Sequence, residues 1–124
     1  MSLLSTETNE ATPRKISVLA GVIRRVGNSW IFLNDAGHAS IGFTSTITEP
    51  STNSIQINFD KTYSKVLTCI ITPDDTYAQR GIVFGASCGL NKAIIYHSKA
   101  GVPTLNSELN ITGSNIWIYI MMYD

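Results

Sequence analysis

The sequence contains little charge. Only 15% of its 124 residues are Asp, Glu, Lys or Arg, against roughly 25% in an average soluble domain. Nine basic residues balance nine acidic ones, so the chain lacks the positive charge that attracts nucleic acid or anionic membranes without sequence specificity. We therefore predict a largely neutral surface and no nucleic-acid partner.

Long apolar runs and cysteines are also scarce. No apolar run reaches the roughly 18 residues of a membrane span, and the stretch MSLLSTETNEATPRK lacks the basic-then-apolar order of a signal peptide. We predict synthesis in a cytosol and no membrane insertion. Cys69 lies in the apolar VLTCII and Cys88 in GASCG. Because a reducing compartment disfavours a disulfide, two buried free thiols are expected.

Motifs for metal binding are missing, so we predict no metal and no cofactor. His38 and His97 stand alone in the sequence, without a second His or a Cys pair at ligand spacing. Asp74 and Asp75 follow Pro73 as in a type I turn, which indicates solvated turn residues and not a Ca²⁺ or acid-base site.

Catalytic motifs are missing as well, and we predict that the protein is not an enzyme. Gly85, Ser87 and Gly89 have the spacing of a nucleophile elbow, but no strand-to-helix transition follows them. The alternative is a small hydrolase that uses Cys88, or Asp74 and Asp75. It would need a nucleophile and a base in one pocket.

Short runs of β-branched and aromatic residues, separated by turns, fill most of the chain. In SIQINF the apolar Ile55, Ile57 and Phe59 alternate with polar residues, as in a strand with one buried face. KVLTCIIT is apolar on both faces, which predicts a central strand. Gly27 and Asn28 predict a tight hairpin. The pattern predicts eight or nine strands in an all-β, antiparallel fold, a two-sheet sandwich or jelly roll.

The chain is long enough for one domain with an ordinary core. Its first residues are rich in Ser, Thr, Glu and Asn, a composition that cannot offset the entropy of ordering. We predict a flexible N-terminal arm at residues 1–13 and a single β-sandwich domain at residues 14–124.

A candidate ligand site lies in PDDTYAQRG, which we predict to be a long loop after Pro73. There Tyr77 offers an aromatic face flanked by the hydrogen-bonding side chains of Asp75, Gln79 and Arg80. This arrangement suits a saccharide, and a lectin-like carbohydrate-binding module is the alternative function. Trp30 and Trp117 are further candidate stacking residues.

The terminal strand NIWIYIMMYD has large side chains on both faces. Ile116, Ile118, Ile120 and Met122 alternate with the residues Trp117, Tyr119, Met121 and Tyr123. A monomer of this size buries one face of most strands, so this strand needs a second cover. Another subunit or an unusually central position would supply it. We predict self-association, with the second set as the oligomer interface.

Three stretches resemble a strand pattern found in virion-surface proteins of bacteriophages, including tip domains of tail fibres. They are SIQINFDKTYSKVLTCIITPDD, GASCGL and NITGSNIWIYIMMYD, and ISVLAGVIRRVGNSWIFLNDAGH also reads like the opening of short phage surface proteins. The resemblance spans residues 16–124. The matching residues are Ile57, Phe59, Tyr63, Val66, Ile70, Trp117, Ile118 and Ile120.

The resemblance implies a trimeric β-sandwich without cofactors that binds a host-surface glycan or receptor, or decorates the particle. Two features depart from the family: no shaft or chaperone segment precedes the domain, and MMYD replaces a more polar ending. These departures fit a separately encoded virion protein as well as a receptor-binding tip. We predict a structural protein on the virion exterior, made in the host cytoplasm, whose arm contacts other virion proteins.

Overall fold

A computed structural model describes residues 15–124, which form nine β-strands, one short α-helix and one 3₁₀ helix. The predicted arm at residues 1–13 lies outside the described residues. The strands build two antiparallel sheets, which confirms the predicted all-β, two-sheet fold. The strands are β1 (Ile16–Val26), β2 (Ser29–Phe32), β3 (Phe43–Ser51), β4 (Ser54–Phe59), β5 (Lys65–Pro73), β6 (Ile82–Cys88), β7 (Lys92–Lys99), β8 (Val102–Pro103) and β9 (Ile116–Tyr123).

The first sheet has the order β2-β1-β9-β5. The last strand therefore lies at its centre, where Ile118 pairs with Gly21 of β1 on one side and with Ile71 of β5 on the other. A register shift in β5 opposite Met121 and Met122 leaves one extra residue in that strand. The terminal strand thus has the central position considered for it, but pairing at its two edges leaves the outward Trp117 and Tyr119 exposed.

The second sheet has the order β3-β4-β7-β6, with the short β8 paired to the end of β7. β3 and β4 form one hairpin and β6 and β7 another, and the two hairpins join where Ile55 of β4 lies opposite Ile95 of β7. In β4 the residues Ile55, Ile57 and Phe59 are buried, which confirms the one-sided strand predicted from SIQINF.

The core lies between the two sheets. Alternation in β9 sends every second side chain into it, and Ile116, Ile120 and Met122 are completely buried there. They meet Ile55, Ile57 and Ile95 of the second sheet in one hydrophobic cluster. Burial of aliphatic side chains, at roughly 25 cal/mol per Å², is therefore the main force that holds the sheets together.

One end of the sandwich is tied by a polar cluster that joins the two sheets. Trp30 Nε1 donates a hydrogen bond to Glu49 Oε2 at 2.6 Å, and Arg25 Nε donates to the same oxygen at 3.0 Å. Arg25 is buried, so its charge depends on this carboxylate. Burial raises the pKa of Glu49, but the hydrogen bonds from Arg25 and Trp30 outweigh burial and lower it.

Two sequence predictions about local structure were wrong. KVLTCIIT forms β5, which lies at the edge of the first sheet and not at its centre. Residues 73–81 are not a long loop, because β5 extends to Pro73 and a helix, α1 (Asp75–Gln79), follows directly. A 3₁₀ helix at Asn106–Leu109 precedes the terminal strand.

Candidate functional site

The outward side of the first sheet carries a broad set of exposed apolar side chains. Register places Trp117 beside Val22, Tyr119 beside Ala20 and Ile70, and Met121 beside Val18. Arg24 and Lys65 lie at opposite ends of this surface. We call its exposed members the apolar outer face: Ile16, Val18, Ile31, Ile41, Ile70, Trp117 and Tyr119.

The centre of the apolar outer face is formed by the terminal strand. Trp117 is 39% exposed and Tyr119 is 40% exposed, so residues 15–124 leave both side chains partly open to water. Between them and Ile70 lies a shallow groove of about 210 Å³, whose floor includes the small Ala20 and Gly21. Within residues 15–124, neither the indole N–H of Trp117 nor the hydroxyl of Tyr119 has a hydrogen-bond partner.

The other two predicted interface residues lie on the same side of β9. Met121 and Tyr123 are half-buried, and Tyr123 lies opposite Ile16 of β1 and Lys65 of β5. The structure therefore brings all four predicted interface residues to one surface. Strand alternation alone was sufficient to group them.

The predicted ligand site is contradicted in one respect: Tyr77 offers no exposed face. Its side chain is 0% exposed, its hydroxyl donates to the Leu109 carbonyl at 2.7 Å, and its ring packs edge-on against Phe84 at 5.5 Å. Burial, together with the charge of Asp74, raises the pKa of Tyr77 to about 12. Tyr77 anchors α1 to the core, so the prediction that it stacks on a ligand was wrong.

The three polar residues of that predicted site are exposed around the buried tyrosine. Asp75 and Gln79 are the first and last residues of α1, and Arg80 follows it. None of them lines the groove beside Trp117 or the groove described next. Asp74 has a structural role, since its Oδ2 accepts the Asn115 amide at 2.8 Å.

A second groove, which the sequence did not reveal, lies on the outward side of the second sheet. It has a volume of about 420 Å³ and lies beside the ring of Tyr96, which is 49% exposed. Directly opposite Tyr96 on β6 is Gly85, where an added Cβ would meet no atom within 4 Å. The groove is lined by Ser51, Asn53, Val83, Phe84, Gly85, Tyr96, His97, Ser98 and Pro103.

A buried polar network supports one end of this groove. Asn106 Nδ2 donates to the carbonyls of Ser51 and Ser54 at 2.8 and 3.0 Å, so its Oδ1 is left to accept from His97 Nε2 at 2.7 Å. With a proton on Nε2, the neutral ring accepts at Nδ1 from the hydroxyl of Thr104. The network fixes the tautomer of His97 and ties the β3–β4 turn to the segment after β8.

His97 is only 3% exposed, and its burial lowers its pKa below the ordinary histidine value. The hydrogen bond to Asn106 and the charges of Glu108 and Glu49 offset part of this effect. The side chain is therefore neutral at physiological pH. His38, the other histidine, lies in the β2–β3 connection and bonds to Asp35 at 2.8 Å.

Both cysteines are free, half-buried thiols. Cys69 lies opposite Ile120 and Cys88 opposite Ala93, so each points between the sheets, and the Cys88 thiol donates to the Gly89 carbonyl at 3.7 Å. The contact with Cys69, followed by burial, raises the pKa of Cys88. The contact with Cys88 lowers the pKa of Cys69, and burial opposes this shift. The raised pKa leaves Cys88 with little thiolate, which is the nucleophilic form.

Residues 15–124 contain no group of three or more His, Cys, Asp or Glu side chains placed to hold a metal ion. No helix in that part of the chain is long and apolar enough to cross a membrane. A scan against family models found no match, and searches of curated proteins and of solved structures found none either.

Proposed function

We propose that the chain is a structural protein of a bacteriophage virion exterior, a β-sandwich that assembles as a homotrimer and acts by binding. The observation that carries assembly is the apolar outer face. Its aromatic centre, Trp117 and Tyr119, lies on a central strand of the first sheet and is left open by the described residues 15–124. Contiguous exposed apolar surface of this kind is typical of interaction sites.

The shape and chemistry of the apolar outer face suit a second copy of the same chain. The two large rings flank a shallow groove floored by Ala20 and Gly21, so protruding and recessed parts occur on one surface. A symmetric contact needs such self-complementarity. The rings of Trp117 and Tyr119 supply apolar area to the contact. Their unpartnered N–H and hydroxyl groups are available to form hydrogen bonds with the neighbouring subunit.

The charge distribution points to the same occupant. The surface is apolar at its centre, with Arg24 and Lys65 at its ends, which matches the apolar core and polar rim of protein interfaces. A stable contact of this kind buries roughly 1,000 Å² or more in total. Nucleic acid is disfavoured as a partner because the chain has no net charge.

Three parts of the proposal are supported by the resemblance of the strand pattern: the virion location, the choice of three subunits and the absence of a cofactor. In this proposal residues 1–13 contact another virion protein. The β-sandwich then either decorates the particle or binds the host receptor. Antibodies against the purified chain test the location. The antibodies should label the outside of intact particles of the phage that encodes the chain. Purified particles that do not contain the chain would contradict the proposal.

Assembly is tested by sedimentation equilibrium and light scattering on the full chain. We expect a trimer mass, and we expect Trp117→Lys to shift the protein to monomer because it places a charge at the centre of the contact. Val102→Lys is the matched control, since Val102 is an exposed apolar residue of the second sheet. A wild-type monomer at every concentration would contradict assembly, and a stable dimer would contradict the trimer alone.

A further inference from the structure

The groove on the second sheet has the form of a small-ligand site. Its volume of about 420 Å³ lies within the roughly 300–1,000 Å³ of typical small-molecule sites. Tyr96 forms one wall, and the glycine opposite it on β6 leaves the space above the strand open. The neighbouring pair is Val83 and Ser98, which places an apolar and a hydroxyl side chain next to the ring.

The lining of the groove determines which ligands it can recognise. Its nine lining residues include no Asp, Glu, Lys or Arg, and the buried His97 is neutral. No lining group can therefore neutralise a phosphate or a carboxylate. The hydroxyls of Tyr96 and Ser98 have no hydrogen-bond partner within residues 15–124, so both are free to bond a neutral ligand.

The groove is also built on rigid elements. Tyr96 and Ser98 lie on β7, a strand paired to β4 and β8 on one side and to β6 on the other. Asn53, in the turn that forms the opposite wall, donates from Nδ2 to the Thr104 carbonyl at 2.7 Å. A preformed wall lowers the entropy lost when a ligand binds.

We propose that this groove binds a neutral saccharide, with one pyranose ring stacked on Tyr96. A pyranose presents aliphatic C–H groups on its faces and hydroxyls at its rim. These two parts match an aromatic platform bordered by free hydroxyls and by an uncharged amide. The site lies on the sheet opposite the apolar outer face, so it stays accessible whether or not the chain assembles, and it replaces the contradicted site at Tyr77.

The test is a titration of the ¹⁵N-labelled full chain, followed by amide chemical shifts. The probes are maltotriose, cellotriose and chitotriose at millimolar concentration, with sialyllactose as an anionic contrast and glycerol as a polyol without a ring. At least one neutral trisaccharide should produce saturable shifts at Gly85, Tyr96 and Ser98. Glycerol should produce none, since it has no ring to stack.

Variants assign the binding to the groove. Tyr96→Ala should lower the affinity about tenfold or more, the scale of one aromatic stacking contact, whereas Tyr96→Phe should retain most of it. Gly85→Val fills the open space beside the ring and should abolish binding while the strand persists. Thr46→Ala, an exposed position on the edge strand β3, is the unchanged control.

Three results would overturn the proposal. They are the absence of saturable shifts with all three neutral trisaccharides, binding that survives both Tyr96→Ala and Gly85→Val, and binding of sialyllactose alone. Dispersed amide spectra of each variant establish that it is folded. Because the readout is ligand binding and not particle mass, failure here is distinguishable from failure of the assembly proposal.

Discussion

The outward surfaces of the two sheets differ in chemistry although both sheets cover the same core. On the first sheet, Trp117, Tyr119 and Ile70 point outward in adjacent strands. On the second sheet, the outward positions of β4 include the polar Gln56 and Asn58. The second sheet also exposes apolar side chains, Val83 and Tyr96, but they border a groove that contains Ser51, Asn53 and Ser98.

The two surfaces also differ in what lies beneath them. Under the first sheet's centre are fully buried aliphatic side chains such as Ile116 and Ile120. Under one end of the second sheet lies the network of His97, Thr104 and Asn106. One surface is therefore suited to covering by another protein, and the other is shaped by polar contacts that can respond to pH.

The largest expected change in the free energy of unfolding distinguishes the inward side of the terminal strand from its outward side. Ile120→Ala removes a fully buried side chain and should lower the free energy of unfolding by about 2–5 kcal/mol. Tyr119→Ala, one position away, should lower it by less than about 1 kcal/mol in dilute solution, where assembly adds nothing. Urea unfolding followed by circular dichroism measures both. Equal losses would mean that the outward tyrosine serves the monomer's own stability.

The next effect concerns the charge contact between the sheets. Glu49→Ala leaves the buried Arg25 without its carboxylate and Trp30 without its acceptor, and should cost about 2–3 kcal/mol in urea unfolding. Glu49→Gln keeps an acceptor for Trp30 and should cost less.

An exposed ion pair at residues 61 and 124 serves as the control for that contact. Lys61 Nζ lies 3.1 Å from Asp124 Oδ1 at the surface, so Lys61→Ala should cost below about 1 kcal/mol. If Glu49→Ala costs no more than Lys61→Ala, the two sheets do not depend on this contact.

A pH dependence should distinguish the second sheet from the first. The pKa of His97 is lowered in the folded state, so the unfolded chain binds the proton more tightly, and stability falls as pH drops below the ordinary histidine value of about 6.5. The loss is at most about 1.4 kcal/mol per pH unit. Urea unfolding between about pH 7 and 5 measures it, above the range where carboxylates titrate.

His97→Gln is the control for that dependence, because it keeps a donor for Asn106 and cannot titrate in this range. It should flatten the pH profile. Relative to the intrinsic exchange rate at each pH, the protection of amides around Thr104 and Asn106 should fall in the wild type at the lower pH, while Ile118 of the first sheet stays protected. A wild-type profile as flat as that of the variant would contradict the role given to His97.

The smallest effects come from one hairpin in each sheet. Gly27 in the β1–β2 turn has φ +62°, and Ala100 in the β7–β8 turn has φ +51°. Left-handed backbone costs a residue with a Cβ about 1–2 kcal/mol. Gly27→Ala should therefore destabilise the protein by about 1 kcal/mol, and Ala100→Gly should stabilise it by up to about 1 kcal/mol. Thermal unfolding gives both signs, and changes of the same sign would contradict this explanation.

Local patterns predicted the fold class and the grouping of the interface residues. Period-two alternation correctly placed Ile55 and Ile57 inside, and it grouped Trp117 with Tyr119. The Gly27–Asn28 hairpin followed from turn chemistry, and the positive φ occurs at Gly27 alone, as in a type II′ turn. These features depend on neighbouring residues, which a sequence displays directly.

The features that the sequence did not reveal depend on distant contacts. The hydrophobicity of β5 on both faces indicated a central strand, but Ile70 belongs instead to the exposed apolar outer face. Polar neighbours suggested that Tyr77 is exposed, whereas Phe84 and Leu109 bury it. The groove at Tyr96 required knowing that Gly85 lies opposite. Ile95 and His97 both point into the protein, which turns Tyr96 outward between them. The sequence could have indicated this only if His97 had been recognised as buried.

The central place of β9 has a consequence for how the chain acquires its structure. Strands β1 and β5 have no pairing with each other and are joined only through β9, so the first sheet stays split until residues 116–123 have left the ribosome. Pairings between segments so far apart in sequence slow folding. Until then the strand edges of β1 and β5 are unpaired, and the side chains of the future core are exposed to solvent. Both features promote aggregation. Synthesis of this chain should therefore depend on chaperones or on low temperature more than its modest length suggests.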